Sequence, residues 1–173
     1  MANKKHYIIT SITLGVVALS SAGLIGLTNF ITKDKIVENE SNKIKSSITA
    51  IFGSNSTIKK ESSLDSYDYA KNIYIINDKN STVGKAIKTI GSNMYGEISL
   101  IVGFKQTDNS FISMSIITNE QSYATTLVDN YINPINDGTR KIEDVSCGAT
   151  YGAKLVRDMI SDAQKACKEY KGE

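Results

Sequence analysis

Two neighbouring stretches, Ile98–Phe104 (ISLIVGF) and Phe111–Ile117 (FISMSII), decide the fold that the sequence predicts. Both run apolar or alternate apolar with small residues, a pattern that is typical of β-strands. The polar segment Lys105–Ser110 joins them and is short enough for a hairpin. We therefore expect an antiparallel pair of strands at this place in the chain.

A second pair of strand-like stretches precedes this hairpin. They are Asn72–Asn77 and Val83–Ile90, and the turn-prone segment Asp78–Ser81 joins them. An amphipathic helix is predicted at Tyr151–Tyr170, where apolar residues recur at helical spacing. Together these elements predict an α+β fold in which antiparallel hairpins pack with helices.

The segment before the hairpins is polar. A helix is predicted at Asp34–Phe52, with a thin apolar stripe formed by Ile36, Ile44, Ile48 and Ile51. The Ser-, Asn- and Lys-rich segment Gly53–Ser63 predicts a loop. We therefore divide the chain into residues 1–33, a polar linker at 34–63 and one small domain at 64–173.

The N-terminal segment Tyr7–Ile31 is almost free of charge and long enough to cross a bilayer as a helix. Lys4 and Lys5 precede it, so the positive-inside tendency places the N-terminus in the cytoplasm and the domain outside the cell membrane. A cleaved signal peptide is the alternative, but its apolar region is usually shorter and ends at a small-residue cleavage site. We expect an uncleaved single-pass anchor.

Composition excludes several classes of function. The formal net charge is +2, and the basic residues are dispersed among acidic ones, so nucleic-acid binding has little support. The one histidine, His6, precedes the apolar segment, which leaves no histidine in the domain for a catalytic triad or a zinc site. Asp65 and Asp68 lie in a polar stretch and are expected to be structural. No metal site is predicted.

The two cysteines, Cys147 and Cys167, are expected to be free thiols. A helix over Tyr151–Tyr170 rises about 1.5 Å per residue, which places Cys167 more than about 20 Å along the helix from Cys147. A disulfide needs Cα atoms within about 7 Å. Cys167 falls on the apolar stripe of the helix and is expected in the core.

The segment Asp144–Thr150 (DVSCGAT) leads through a glycine turn into this helix. Helix starts attract anions, because their first N–H groups lack partners and the helix dipole is positive there. Gly148 allows the backbone to turn sharply and approach a ligand closely. Thr150 would lie at that terminus. The alternative is that Thr150 is only the N-cap of the helix.

This segment resembles the flavin acceptor site of a known family, the FMN-binding domain shared by the G subunit of Rnf-type complexes and the C subunit of the sodium-translocating NADH:quinone reductase. That family carries Asp-x-x-(Ser/Thr)-Gly-Ala-Thr. Here Cys147 replaces the hydroxyl residue, and Gly152 and Ala153 stand where the family has two hydroxyl residues. The resemblance implies a covalent FMN phosphoester on Thr150.

The middle of the chain resembles the same family. Tyr95–Glu97 and Val102–Phe104 occupy the places where the family has a Gly-Tyr-Gly turn and a Val-Gly-aliphatic strand end. The family then has a Glu-Thr-Pro-Gly loop that helps to enclose the flavin. Glu120 fits this loop, but Gln121–Tyr123 departs from it. Two alternatives follow for the loop at 119–126: it is rebuilt with Tyr123 near the flavin ring, or the site is more open.

The resemblance implies roles for further residues. Asp144, Gly148 and Ala149 would present Thr150 to a flavin transferase, a maturation partner that takes FMN from FAD and releases AMP. The other candidates for contact with the flavin or its phosphate are Tyr95, Gly96, Glu120, Ser146, Cys147, Tyr151 and Lys154. Lys154 could equally be an exposed surface lysine, and Cys147 a simple substitute for serine.

The implied function is electron transfer through covalent FMN in a membrane-anchored subunit of an Rnf-like ion-translocating complex. Flavins carry one or two electrons, and the protein sets their surroundings. The chain alone is not expected to catalyse a reaction, and its partners would be the other membrane subunits. The alternatives are a stand-alone extracytoplasmic flavin carrier and a cofactor-free anchored binding or scaffold domain.

Overall fold

The computed structural model describes residues 2–79 and 81–170, with the backbone alone at residues 2–6, 26 and 28–34. The first element, α1, is a helix over Ala2–Phe52. The chain divides into two compact units, Met1–Asn42 and Lys43–Glu173, which are described separately.

The first unit contains the apolar part of α1. Its stretch Tyr7–Ile25 is 19 residues long with a mean hydropathy of 2.0, which is long and apolar enough to cross a membrane. The hydroxyls of Ser20 and Ser21 donate to backbone carbonyls one turn earlier, at 2.8 and 2.9 Å, so they are satisfied within the helix. The side chains of Lys4 and Lys5, on which the predicted orientation depends, lie outside the described residues.

The second unit is built on a five-stranded antiparallel sheet in the order of the sequence. Its strands are β1 (Ser56–Ser63), β2 (Ala70–Asp78), β3 (Ser81–Asn93), β4 (Gly96–Lys105) and β5 (Phe111–Asn119). Both predicted hairpins are present, as β2 with β3 and β4 with β5. The predicted turn residue Asn80 lies outside the described residues. The predicted α+β fold class is confirmed.

One prediction was wrong at the start of the sheet. The segment Gly53–Ser63 was expected to be a loop, but Ser56–Ser63 forms β1 and pairs antiparallel with β2. Most of its side chains are exposed, and only the partly buried Ile58 packs against the core. Because an edge strand needs only backbone pairing on one side, a polar sequence suffices and also discourages pairing with another chain.

A long helix, α4 (Thr150–Glu169), covers one face of the sheet and closes the fold, as predicted. Its buried side chains recur at helical spacing and pack against the inward residues of β2, β3 and β4. The Asp162 carboxylate accepts N–H bonds from Tyr69 and Ala70, at 2.7 and 3.0 Å, and ties the start of β2 to the helix. The buried residues between α4 and the sheet form the larger of the two hydrophobic clusters.

The last turns of α1 cover the opposite face within the second unit. Ile48 is buried there with Tyr74, Ile76, Ala86, Ile101 and Ile117. A Cβ placed on Gly103 would overlap the side chain of Ile51, so glycine permits the helix to approach β4 closely. The sheet therefore lies between two helical layers.

Sequence reasoning missed a helical stretch between the sheet and α4. It consists of α2 (Ala124–Leu127), a π-helix (Val128–Ile132) and α3 (Asn133–Asn136). The available signal was the spacing of Leu127, Tyr131 and Ile135, which are all buried. Four-residue spacing would have predicted an amphipathic helix.

Both cysteines are free thiols, as predicted, and both are buried. Cys167 lies in the core on α4, where burial raises its pKa. The Lys85 ammonium donates to the backbone carbonyl of Cys167 at 3.1 Å and supports the C-terminal turn of the helix. Asp65 and Asp68 are exposed in the connection between β1 and β2.

Candidate functional site

Thr150 is the first residue of α4, and Ala149 occupies the N-cap position without any side-chain cap. The first intrahelical bond at this end runs from the N–H of Ala153 to the carbonyl of Ala149, at 2.9 Å. The N–H groups of Thr150, Tyr151 and Gly152 make no hydrogen bond to any described residue. In the structure, therefore, Thr150 does not cap the helix.

The Thr150 side chain is half-buried and lines a cavity of about 270 Å³. Its hydroxyl makes no hydrogen bond within the described part of the chain. The cavity is framed by residues from three places in the sequence: Tyr95, Gln121, Tyr123, Leu127, Gly148, Ala149, Thr150, Tyr151 and Gly152. None of these side chains carries a charge, so the attraction for an anion comes from the free helix N–H groups.

Three tyrosines form an aromatic cluster at this cavity. The ring centroid of Tyr95 lies 5.9 Å from that of Tyr123 and 5.5 Å from that of Tyr151. Tyr123 and Tyr151 are exposed over 57% and 59% of their surface, so their rings face both the cavity and solvent. Such a cluster presents flat apolar surfaces to a planar ring.

Hydrogen bonds fix the two loops that carry Tyr95 and Tyr123. The N–H of Ser122 donates to the carbonyl of Tyr95 at 2.8 Å, and the Ser122 hydroxyl donates to the same oxygen at 3.2 Å. Asn93 bonds the N–H of Tyr95 at 2.8 Å and donates to the carbonyl of Tyr151 at 3.3 Å. The β3–β4 turn is thereby tied to the loop after β5 and to the first turn of α4.

Two glycines are required by the shape of this site. Gly96 has a φ of +128°, and a Cβ there would overlap the carbonyl oxygen of Glu120. The Gln121 side-chain amide also donates to the carbonyl of Gly96. Gly148 has a φ of +83° immediately before the helix start. Both conformations favour glycine over residues with a Cβ.

The segment between α3 and α4 is held by the helical stretch at residues 124–136. Asn130 donates to the carbonyl of Cys147 at 3.2 Å, and the hydroxyl of Tyr131 donates to the carbonyl of Ile142. Burial raises the pKa of Tyr131 above its usual range, so the hydroxyl keeps its proton at neutral pH. Both donors lie in the π-helix, a feature that often occurs at functional sites.

The structure places five of the predicted site residues on the cavity wall, namely Tyr95, Gly148, Ala149, Thr150 and Tyr151. The others predicted from the resemblance, Ser146, Cys147, Gly96, Glu120 and Lys154, are not among the lining residues. Glu120 is exposed, and its N–H bonds the carbonyl of Glu97 at 2.8 Å. The ammonium of Lys154 lies 5.9 Å from the centroid of the Tyr151 ring.

Three further residues on the cavity wall were not predicted as site residues, namely Gln121, Leu127 and Gly152. A Cβ on Gly152 would lie 3.0 Å from a methyl carbon of Leu127, which explains why a small residue suits this position. Ala153 is fully buried in the core beneath the site. The glycine at position 152 therefore leaves room for the Leu127 side chain of α2 against α4.

No group of three or more His, Cys, Asp or Glu side chains that could hold a metal ion occurs among the described residues. The chemically distinctive group at the site is the alcohol of Thr150, which lies beside free backbone donors and lines the same cavity as three tyrosines. Such an arrangement suits a planar ligand with an attached phosphate. The fold and site therefore define a chain with a membrane-length apolar helix and an α+β domain that carries a tyrosine-framed cavity at a helix start.

Residues 1–51 match the family model for the RnfG N-terminal region. The N-terminal region of the chain is therefore similar to that of RnfG proteins, the G subunits of Rnf complexes, in agreement with the sequence resemblance. The matched residues precede β1, so the match does not extend to the cavity. A comparison of the chain with curated proteins found no match. The apolar stretch Tyr7–Ile25 lies within the matched residues, so the part of the chain that resembles RnfG includes the helix that is long enough to cross a membrane.

Proposed function

We propose that this chain is the flavoprotein subunit of an Rnf-like ion-translocating complex, with FMN attached to Thr150 through a phosphoester. The observation that carries this proposal is the free hydroxyl of Thr150 at the start of α4, on the wall of a tyrosine-framed cavity. The RnfG match in the N-terminal region supports the assignment to a complex. Residues 64–173 would form the FMN-binding domain.

Attachment would proceed from FAD on a separate flavin transferase. The Thr150 oxygen forms a bond to the phosphorus of the FMN half, the phosphoanhydride bond of FAD breaks, AMP leaves and the hydroxyl proton is released. The free N–H groups of Thr150, Tyr151 and Gly152 favour a phosphate at the helix start, because they point at an anion with the positive end of the helix dipole.

The three tyrosines would form the contact surface for the isoalloxazine ring. Their rings lie next to Thr150 around one cavity, which a ring tethered through a ribityl phosphate could reach. The cavity of about 270 Å³ is at the lower end of the range for small-molecule sites, so part of the flavin would face solvent. When bound, FMN supplies one- and two-electron transfer, while the protein controls its exposure and hydrogen bonding.

We also propose that the N-terminus lies in the cytoplasm and the domain on the opposite side of the cell membrane. The lysines before the apolar stretch support this orientation through the positive-inside tendency. A covalent ester suits such a location, because a flavin lost outside the cell could not be recovered by rebinding. The partners would be the flavin transferase and the other membrane subunits.

The test is intact mass and in-gel flavin fluorescence of the full chain co-expressed with a flavin transferase. Thr150→Val removes the acceptor oxygen at nearly constant shape, and Thr150→Ser keeps it. We expect an FMN-sized mass gain and fluorescence that survives denaturation in the wild type and in Thr150→Ser, and neither in Thr150→Val.

Two results would favour a different function for this chain. A wild-type chain without added mass in the presence of active transferase would favour a cofactor-free binding or scaffold domain. A flavinylated chain that co-purifies from native membranes without polytopic membrane subunits would favour a stand-alone flavin carrier. The RnfG match favours the complex over the stand-alone carrier.

A further inference from the structure

We infer that Arg140 is a positioning residue for the modification of Thr150, because its guanidinium group fixes the segment Asp144–Ser146 that leads to the acceptor. The inference rests on the proposed function. It concerns a residue that no sequence motif selected, four positions before Asp144 in the irregular connection between α3 and α4.

One guanidinium nitrogen of Arg140 contacts three oxygen atoms of this segment. Arg140 Nη1 donates to the backbone carbonyls of Asp144 and Ser146, at 3.0 and 3.2 Å. The same nitrogen lies 3.6 Å from an Asp144 carboxylate oxygen. The other carboxylate oxygen accepts the N–H of Ser146 at 3.3 Å and closes a local turn.

Arg140 is itself fixed to a regular element. Its N–H and that of Thr139 both donate to the carbonyl of Pro134 in α3, at 3.0 and 2.9 Å. At the other end of the connection, Asn130 holds the carbonyl of Cys147. The guanidinium therefore bridges a segment that is anchored on both sides, and its removal would free the part between the anchors.

The side chains of Arg140 and Asp144 differ in their exposure to solvent, and this difference indicates different roles. The Arg140 side chain is exposed over 22% of its surface, whereas that of Asp144 is exposed over 57%. A transferase could contact the carboxylate, while the guanidinium is turned toward the backbone of its own chain. Arg140 would thus act through the conformation of Asp144 and Ser146. Preorganisation of an acceptor lowers the entropic cost of reaching the reactive geometry.

The consequence is a defect in recognition by the transferase without a defect in folding. In the Arg140→Ala variant the segment would sample several conformations, so productive encounters would become rarer and the KM for the acceptor chain would rise. Lysine at this position keeps the charge, but its ammonium ends a flexible stem and lacks the rigid planar group that holds Nη1 between the two carbonyls. Arg140→Lys should therefore recover only part of the rate.

The experiment measures initial rates of FMN attachment to the full chain in detergent, with a flavin transferase, FAD and Mg²⁺, over a range of acceptor concentrations. We expect kcat/KM to fall by about 10- to 100-fold in Arg140→Ala, mainly through KM. The matched control is Arg157→Ala, which removes an arginine that pairs with its neighbour Asp158 on α4. Its rate should equal that of the wild type.

A double-mutant cycle with Asp144→Ala distinguishes positioning from a general loss of structure. If Arg140 acts through Asp144, the double variant should be no slower than the slower single variant. The inference would be overturned if Arg140→Ala and Arg140→Lys both showed the wild-type rate. It would also be overturned if the rate loss in the double variant equalled the product of the two single losses. A rate loss that only parallels a loss of folded chain in thermal melts would overturn it as well. A wild-type chain that accepts no FMN would instead overturn the proposed function on which the inference rests.

Discussion

The rings of Tyr95 and Tyr151 lie with their centroids 5.5 Å apart and their planes inclined by 38°. Tyr95 belongs to the turn between β3 and β4, and Tyr151 belongs to the first turn of α4. The Asn93 side chain donates to the carbonyl of Tyr151 at 3.3 Å and holds the turn against the helix. One hairpin turn and one helix start thus form a shared aromatic wall beside Thr150.

The first prediction concerns the protection of the proposed flavin by Tyr123. Removing the ring in Tyr123→Ala should open one side of the cavity and let a soluble quencher reach the flavin more easily. We expect a Stern–Volmer constant for iodide quenching about twofold or more above the wild type, since an exposed aromatic wall is lost. Tyr123→Phe retains the ring and should behave like the wild type. Equal quenching constants in all three proteins would show that Tyr123 does not shield the flavin ring.

The second prediction concerns the close approach at Gly96. A Cβ there would overlap the carbonyl oxygen of Glu120, and the φ of +128° is strained for any residue other than glycine. Gly96→Ala should lower the free energy of unfolding by at least about 1–3 kcal/mol. Gly138→Ala is the control, because Gly138 has a φ of +74° with no atom within 4 Å of an added Cβ.

These two glycine variants can be compared by thermal unfolding of the full chain in detergent. The Gly138 variant measures the cost of a positive φ without a steric overlap, and the additional loss in Gly96→Ala contains the overlap together with the greater strain of its φ. Equal melting temperatures for the two variants would contradict the close packing of the β3–β4 turn on the loop after β5.

The third prediction is a dependence of stability on alkaline pH. Burial raises the pKa of Tyr131, so the folded state favours the neutral hydroxyl. The contribution of this hydroxyl to stability is fully present below the unfolded pKa of about 10 and is lost as the pH rises above it. Stability of the unmodified chain should therefore fall from about pH 10 upward.

The Tyr131→Phe variant separates this effect from the others. At neutral pH it should be less stable by about 1–3 kcal/mol, because the carbonyl of Ile142 loses its buried donor. Above pH 10 its stability should fall less steeply than that of the wild type, since it has no hydroxyl to ionise at this position. Some slope remains, because the hydrogen bond to Glu169 raises the pKa of Tyr67 to about 12. Melts at a series of pH values measure both slopes.

The fourth prediction is the orientation in the membrane. A cysteine introduced by Asn55→Cys, at an exposed position before β1, should react with a membrane-impermeant maleimide in intact cells. A cysteine introduced by Asn3→Cys should react only after the cells are opened. The native Cys147 and Cys167 are buried and supply a low background that the unmodified chain measures. The reverse pattern would show that the domain faces the cytoplasm.

Much of the fold could be predicted from local pattern. The stretches that became β2, β3, β4 and β5 have strongly periodic or continuous apolar sequences, and α4 has a clear apolar stripe. The edge strand β1 was missed because its partner β2 supplies the backbone bonds and its own side chains need not be apolar. The short helical stretch at 124–136 was missed because its apolar residues are few and its length is divided among three small elements.

The candidate site was predictable to a smaller extent. The acceptor segment stands out because a glycine turn precedes an amphipathic helix, and this placed Thr150 at the helix start. Its wall was not predictable in full, since Gln121 and Leu127 reach the cavity only through the folding of α2 onto α4. Arg140 carries no sequence signal, because its role depends on carbonyl groups whose direction only the folded backbone sets.

The sequence by itself determined the apolar N-terminal helix, the antiparallel hairpins, the closing helix and the position of Thr150 at its start. These features depend on the periodicity of side chains along a local segment, which the order of residues contains directly. Only the tertiary structure decided that three tyrosines from separate parts of the chain line one cavity with this threonine, and that a partly buried arginine holds the segment before it. Contacts between distant segments depend on how strands, turns and helices pack, and the periodicity of one segment does not contain that information.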